Sequence, residues 1–278
     1  MSVPAIGVCS WSLQVTSVPE LVRLMGEVGA ATTQVALGDP NHATWKEGGN
    51  IVKAFKASPL KISAAMIGYP GEDYTSPQTI KETGGFGNPA TRKERLEMFR
   101  RAVDMTAELG LKILASHAGF IPEPGDPGRG SFLDCLYEAA DYAEKQRVFF
   151  AMETGQETAD LLRRTLDEIA MDSLKVNFDP ANMILYDMGD PIRAVEVLGP
   201  DIVHVHVKDA RPPVTKGSWG EEVPLGEGKV GMPAFLEALA EAEYAGPLVV
   251  EREVGDQASR IEDIRGGIQL LRKILTGG

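Results

Sequence analysis

Val148-Phe149-Phe150-Ala151-Met152-Glu153, Leu174-Lys175-Val176-Asn177-Phe178-Asp179, Ile202-Val203-His204-Val205-His206 and Pro247-Leu248-Val249-Val250-Glu251 share one design. Each is a short, mostly apolar run that closes on a side chain able to bind a metal. A short apolar run bounded by polar segments reads as a strand buried on both faces. A carboxylate ending one such strand means little by itself. Carboxylate, carboxylate, imidazole and carboxylate ending four successive strands suit a ring of parallel strands that holds one divalent cation at its mouth.

The rest of the chain follows the same rhythm, with strand and helix alternating at a period near thirty residues. The pattern predicts strands at about 4–10, 32–37, 60–67, 111–117, 147–153, 174–179, 201–207 and 247–253. Helices are expected at about 18–29, 44–57, 90–109, 131–145, 157–170, 190–198, 232–243 and 257–275. Ser17 before Pro19 and Glu20 marks a helix start, and Gly110 marks a helix stop. Strict alternation implies a parallel sheet, and eight units imply closure. The expectation is an α/β fold, one (β/α)8 TIM barrel over 1–278, with no linker. Two long segments, about 68–89 and 208–230, read as loops over the barrel mouth, where function sits in such barrels.

Composition narrows the class. With 28 Lys and Arg against 40 Asp and Glu, the net charge of −12 argues against a nucleic-acid partner. No apolar run approaches the roughly 18–20 residues that span a bilayer, so no membrane partner is expected. Val3-Pro4-Ala5-Ile6-Gly7-Val8-Cys9 leads straight into a strand without a secretory pattern. Cys9 and Cys135 allow no disulfide framework. A reducing, cytoplasmic setting is expected.

Glu153, Asp179, His206 and Glu251 are the candidate metal ligands. A buried strand-end carboxylate costs several kcal/mol unless it is paired or coordinated. For any one of these acids a cap or salt bridge explains it as well; the set of four tips the balance. His204 and His206 share a face of their strand; His206 is nearer the mouth, and His204, a layer deeper, reads as packing. Glu253 lies on the face of Glu251 and could replace it. Three carboxylates and an imidazole suit Mn, Mg or Co, with Zn also compatible. His117, Trp11 and Met66 end other strands and would face the same mouth, beside Asn182, Lys208, Glu157 and, in the second long loop, Arg211 and Glu227.

Gly7-Val8-Cys9-Ser10-Trp11-Ser12, Glu153-Thr154-Gly155-Gln156-Glu157-Thr158, Asn177-Phe178-Asp179-Pro180-Ala181-Asn182, His204-Val205-His206-Val207-Lys208-Asp209 and Gly246-Pro247-Leu248-Val249-Val250-Glu251 together resemble the xylose isomerase-like TIM barrels. More narrowly, they resemble the sugar phosphate isomerase/epimerase group. The resemblance implies a divalent metal on Glu153, Asp179, His206 and Glu251. It implies Glu153 and Glu251 as an acid/base pair around a metal-stabilised enediolate of a small keto-sugar. A homodimer or tetramer is implied as well. Two positions depart from the pattern. Asn182 stands where epimerases often place a His, and Arg211 follows the strand-seven His by five residues. Asn182 can hydrogen-bond a sugar hydroxyl but cannot titrate near neutral pH. A lyase or dehydratase acting on an oxidised sugar, inositol or glycoside is the alternative use of the same site. An apurinic endonuclease, which shares the barrel, fits poorly with four histidines and an acidic chain. A non-catalytic sugar-binding protein would not need the full ligand set.

Overall fold

A computed structural model of the chain describes residues 3–38 and 45–277. The elements are β1 (Ile6–Cys9), α1 (Val18–Val28), β2 (Thr32–Ala36), α2 (Ile51–Ala57), β3 (Ile62–Met66), α3 (Pro77–Thr83), α4 (Pro89–Glu108), β4 (Ile113–Ser116) and α5 (Arg129–Lys145). They continue with β5 (Phe149–Glu153), α6 (Ala159–Ile169), β6 (Leu174–Phe178), α7 (Pro180–Leu185), α8 (Pro191–Leu198) and β7 (Ile202–Val207). The chain ends with β8 (Asp209–Arg211), β9 (Glu221–Val223), α9 (Met232–Glu241), β10 (Leu248–Val250) and α10 (Gln257–Thr276). Eight parallel strands close in the order β1-β10-β7-β6-β5-β4-β3-β2. This is the (β/α)8 barrel that the alternation predicts.

Local sequence explains the boundaries. Ser17 caps α1, Pro19 sits in its first turn, and Gly29 ends it at φ 77°. Asp179, Asp190 and Asp256 cap α7, α8 and α10 in the same way. The barrel strands bury both faces, so they lack polar alternation. Phe150 packs against Phe99 of α4 at 4.5 Å between centroids, and Phe178 stacks on Phe235 of α9 at 5.8 Å. Each such side chain contributes about 1.5–3 kcal/mol when removed from water. Among the described residues, no helix is long and apolar enough to cross a membrane.

The structure adds α7, a helix outside the sequence-based expectation, and differs from that expectation at three further places. The helix expected at 44–57 is a 3-10 turn, Gly48–Asn50, running into α2; Thr44 lies outside the described residues. The segment 68–89 contains α3, closed by a capping box between Ser76 and Thr79. That segment is held from below: buried Arg95 donates to Pro70 O at 3.0 Å and Thr83 O at 2.6 Å, and Glu72 accepts from Tyr69 N and Gly85 N. Gly85, at φ 49°, lies so close to the Ala118–Gly119 peptide that a Cβ would sit 2.1 Å from it. The segment 208–230 carries an antiparallel hairpin, β8 with β9.

Asp209 anchors the return of that hairpin. Its carboxylate accepts from the backbone N–H groups of Ala210, Gly226, Gly228 and Val230 at 2.9–3.1 Å. Hydrogen bonds to a buried charge are among the stronger ones. Asp209→Ala is expected to cost about 2–3 kcal/mol of stability, read as a fall in Tm on thermal unfolding; an unchanged Tm would contradict the anchoring role.

Candidate metal centre and the cavity above it

The barrel register brings the four strand ends together. Glu153 is the last residue of β5, and Asp179 follows β6 directly as the cap of α7. His206 lies in β7, and Glu251 follows β10. One ligand atom from each of Glu153, Asp179, His206 and Glu251 falls within 4.8 Å of all the others, and all four residues are buried. His206 Nδ1 is 3.2 Å from Glu153 Oε1, 3.5 Å from Glu251 Oε2 and 3.8 Å from Asp179 Oδ2.

The surroundings aim these atoms. Asp179 Oδ1 accepts from the N–H groups of Ala181 and Asn182, which leaves Oδ2 for the centre. Trp11 Nε1 donates to Glu251 Oε1 at 2.7 Å. His206 Nε2 is 2.5 Å from Gln34 Oε1, while Gln34 Nε2 donates to Ala65 O. An amide oxygen only accepts, so Nε2 carries a proton, and Nδ1, which lies against the carboxylates, is the nitrogen that would ligate a metal. His204 lies one layer below, with Nδ1 2.7 Å from Asn177 Oδ1 and Nε2 3.2 Å from Ser63 Oγ. Burial first, and then the neighbouring His206, hold it well below its ordinary pKa. His204 is a packed, neutral imidazole, as its deeper position suggests.

The site has more negative charge than its protein cations balance. Lys208 Nζ is 2.9 Å from Glu251 Oε2, 2.6 Å from Glu253 Oε2 and 3.7 Å from Asp179 Oδ2. Burial pushes Glu251 up, but Lys208 and His206 overcome it and hold its carboxyl well below the usual range. For Asp179 burial prevails and its carboxyl is raised. Glu153 Oε2 and Asp179 Oδ2 are buried and make no hydrogen bond. Two buried carboxylate oxygens without a hydrogen bond, in a cluster where His206 Nδ1 lies within 3.8 Å of three carboxylates, fit a divalent cation. Cys9 also lies near His206 and Glu251, but burial pushes its thiol up to about 12. The three carboxylates and one imidazole of the four-residue group suit hard to borderline ions.

Above this centre lies a cavity of roughly 500 Å³. Trp11, Met66, His117, Asn182, Glu153 and Glu251, all singled out from the sequence, line it. His117 Nε2 lies 3.4 Å from Glu153 Oε2, and Asn182 Nδ2 donates to Glu153 Oε1 at 3.1 Å. Four expected contacts fall elsewhere. Lys208 is buried outside the lining and donates to Asn182, Glu251 and Glu253. Arg211 is half exposed on β8 and pairs with Glu221 at 3.2 Å, because the hairpin turns it outward. Glu227 sits in the exposed turn of the return loop. Glu157 is buried away from the lining, and burial alone pushes its carboxyl up to about 8. Sequence reasoning missed Tyr74, Tyr186, Trp219, Glu72 and Glu222 in the wall. The first three lie in or beside segments read as loops or turns, where periodicity carries no signal for direction.

Gln34→Leu removes the acceptor that fixes the His206 tautomer. Metal affinity is expected to fall about 10–100-fold, measured by calorimetric titration with Mn, with the fold retained by circular dichroism. Wild-type affinity in the variant would contradict the positioning role.

A family profile described as Xylose isomerase-like TIM barrel matches residues 17–274. An L-ribulose-5-phosphate 3-epimerase of Salmonella typhi is 28% identical over 173 residues, 60% of this chain; the match spans 59% of that relative's length. A solved xylose isomerase domain protein from Planctomyces limnophilus is 31% identical over the whole of both chains, with a TM-score of 0.89. A xylose isomerase-like TIM barrel protein from Mycobacterium smegmatis, solved in complex with magnesium, is 15% identical over 98% of both chains at a TM-score of 0.70 and shares the fold. The chain belongs to the xylose isomerase-like TIM barrel family.

Proposed function

We propose that this protein is a divalent-metal-dependent isomerase or epimerase of a small keto-sugar or sugar derivative, with Glu153 and Glu251 as its proton carriers. The observation that carries the reading is the convergence of Glu153, Asp179, His206 and Glu251 within 4.8 Å beneath a sugar-sized cavity. The likeness to a sugar-phosphate epimerase, and the magnesium of a protein with the same fold, point the same way.

Glu153, Asp179, His206 and Glu251 would hold the cation, for which Mn, Mg and Co suit the donors best. The cation, when bound, supplies Lewis acidity toward the carbonyl and hydroxyl oxygens of the sugar. The two glutamates come from strand ends that are not neighbours in the barrel, β5 and β10. One carboxylate removes the proton from the carbon next to the carbonyl, and the electron pair of that C–H bond moves toward the carbonyl oxygen. The other carboxyl returns a proton to the same carbon or its neighbour, which gives epimerisation or isomerisation. Lys208 and the Trp11 N–H keep Glu251 ionised and oriented. His117 Nε2 lies 3.4 Å from Glu153 Oε2 and Asn182 Nδ2 donates to Glu153 Oε1, which orients that carboxyl, and both residues line the cavity.

The test is proton exchange. Metal-loaded protein in deuterated water should exchange the proton next to the carbonyl of a responsive ketose, and EDTA should abolish that exchange. Glu153→Gln and Glu251→Gln should each slow it about 10²–10⁴-fold, with Tm near wild type. A product lighter by one water would move the reaction to elimination, and exchange unaffected by EDTA would overturn metal dependence.

A further inference from the structure

We infer that the substrate carries no phosphate and is an uncharged sugar; this rests on reading the site as a sugar isomerase or epimerase. The inference comes from the charge of the cavity wall. Five carboxyl side chains line it: Glu72, Glu153, Glu222, Glu251 and Glu253. Asp179 lies just below. Among the described residues, no Lys or Arg lines the cavity. Asp39 to Thr44, next to the end of β2 in sequence, contain neither residue.

Every cation that the sequence offers as a phosphate clamp is committed or placed elsewhere. Lys208 is buried and bound to Glu251 and Glu253. Arg252 bridges Glu222 at 2.7 Å and Asp263 at 2.9 Å. Arg211 pairs with Glu221 on the outer side of the hairpin. Lys216 and Lys229 are exposed on loops outside the lining, and Lys81 lies over the ring of Phe120 at 5.8 Å. Arg260, bonded to Gly255 O and Glu253 O, and Arg95, bonded to Pro70 O and Thr83 O, lie near these acids but do not line the cavity. A phosphate dianion would enter without a partner and against like charge, whereas recognition of phosphate ordinarily uses Arg, Lys or a helix N-terminus.

The rest of the wall suits a neutral sugar. Trp11, Tyr74, Tyr186, Trp219 and Met66 present apolar faces, on which the C–H face of a sugar can lie. Tyr186 and Trp219 pack edge to face at 4.7 Å. The carboxylates and Asn182 accept hydrogen bonds from hydroxyl groups, which a neutral polyol offers in number and a phosphate does not. The substrate class differs on this point from that of the Salmonella relative, whose name specifies a 5-phosphate.

Two of the three tryptophans, Trp11 and Trp219, line the cavity, so intrinsic fluorescence reports binding without turnover. Mn-loaded protein should be titrated with matched pairs, L-ribulose against L-ribulose 5-phosphate and D-fructose against D-fructose 6-phosphate. Each free ketose that binds should bind at least about thirtyfold tighter than its phosphate ester, the effect of one unit-charge repulsion at about 8 Å and an effective dielectric near 20. Val254→Arg, which places a cation on the cavity wall, should raise the ester-to-ketose affinity ratio at least about tenfold. Esters binding wild-type protein as tightly as the free ketoses would overturn the inference and leave the sugar reading standing. Metal-loaded protein that binds neither class would overturn both.

Discussion

Six carboxyl groups and few cations share the mouth of this barrel, and the arrangement of the site follows from that imbalance. Burying an acid beside other acids is costly unless something positive joins them. Lys208 answers part of the demand by reaching Glu251, Glu253 and Asp179. Arg252 answers another part through Glu222. Glu153 Oε2 and Asp179 Oδ2 stay buried without a hydrogen bond, and His206 Nδ1 lies 3.2 Å from Glu153 Oε1 and 3.8 Å from Asp179 Oδ2. A divalent cation there relieves the strain on all four ligands at once. Carboxyl groups continue up the cavity wall, where Glu72, Glu222 and Glu253 join Glu153 and Glu251.

The supporting shell shows how a barrel makes such a site stable. Each ligand is gripped by an element other than its own strand. Gln34 of β2 sets the His206 tautomer, Trp11 beyond β1 holds Glu251, and Asn182 of α7 holds Glu153. Gly155, at φ 136°, passes so close to Asn182 that a Cβ would sit 2.4 Å from its Cβ. The loop after Glu153 therefore needs glycine there to keep Asn182 in reach. The closure of the barrel and the placement of the ligands depend on each other.

Much of this was legible in the sequence, for a physical reason. Strands buried on both faces read as continuous apolar runs, so their ends are visible, and the ends of parallel barrel strands all point to one mouth. Hence the barrel, the eight strands and the convergence of Glu153, Asp179, His206 and Glu251 could be anticipated. The deeper role of His204 followed from its two-residue offset. Contacts across the barrel were not legible: nothing in the sequence near Gln34 announces His206, 172 positions away. Direction in the long segments was hidden as well. Arg211 was expected in the cavity, but β8 pairs with β9 and turns it outward. Lys208 was expected at the substrate and is buried against Glu251 and Glu253.

The central claim is that one cation belongs between these four side chains. The most direct measurement is an anomalous-diffraction map from crystals soaked in Mn. The account predicts a single strong peak within about 2.0–2.5 Å of oxygens of Glu153, Asp179 and Glu251 and of His206 Nδ1. A map with no peak there at saturating Mn, or a peak that leaves two of the four unligated, would contradict it.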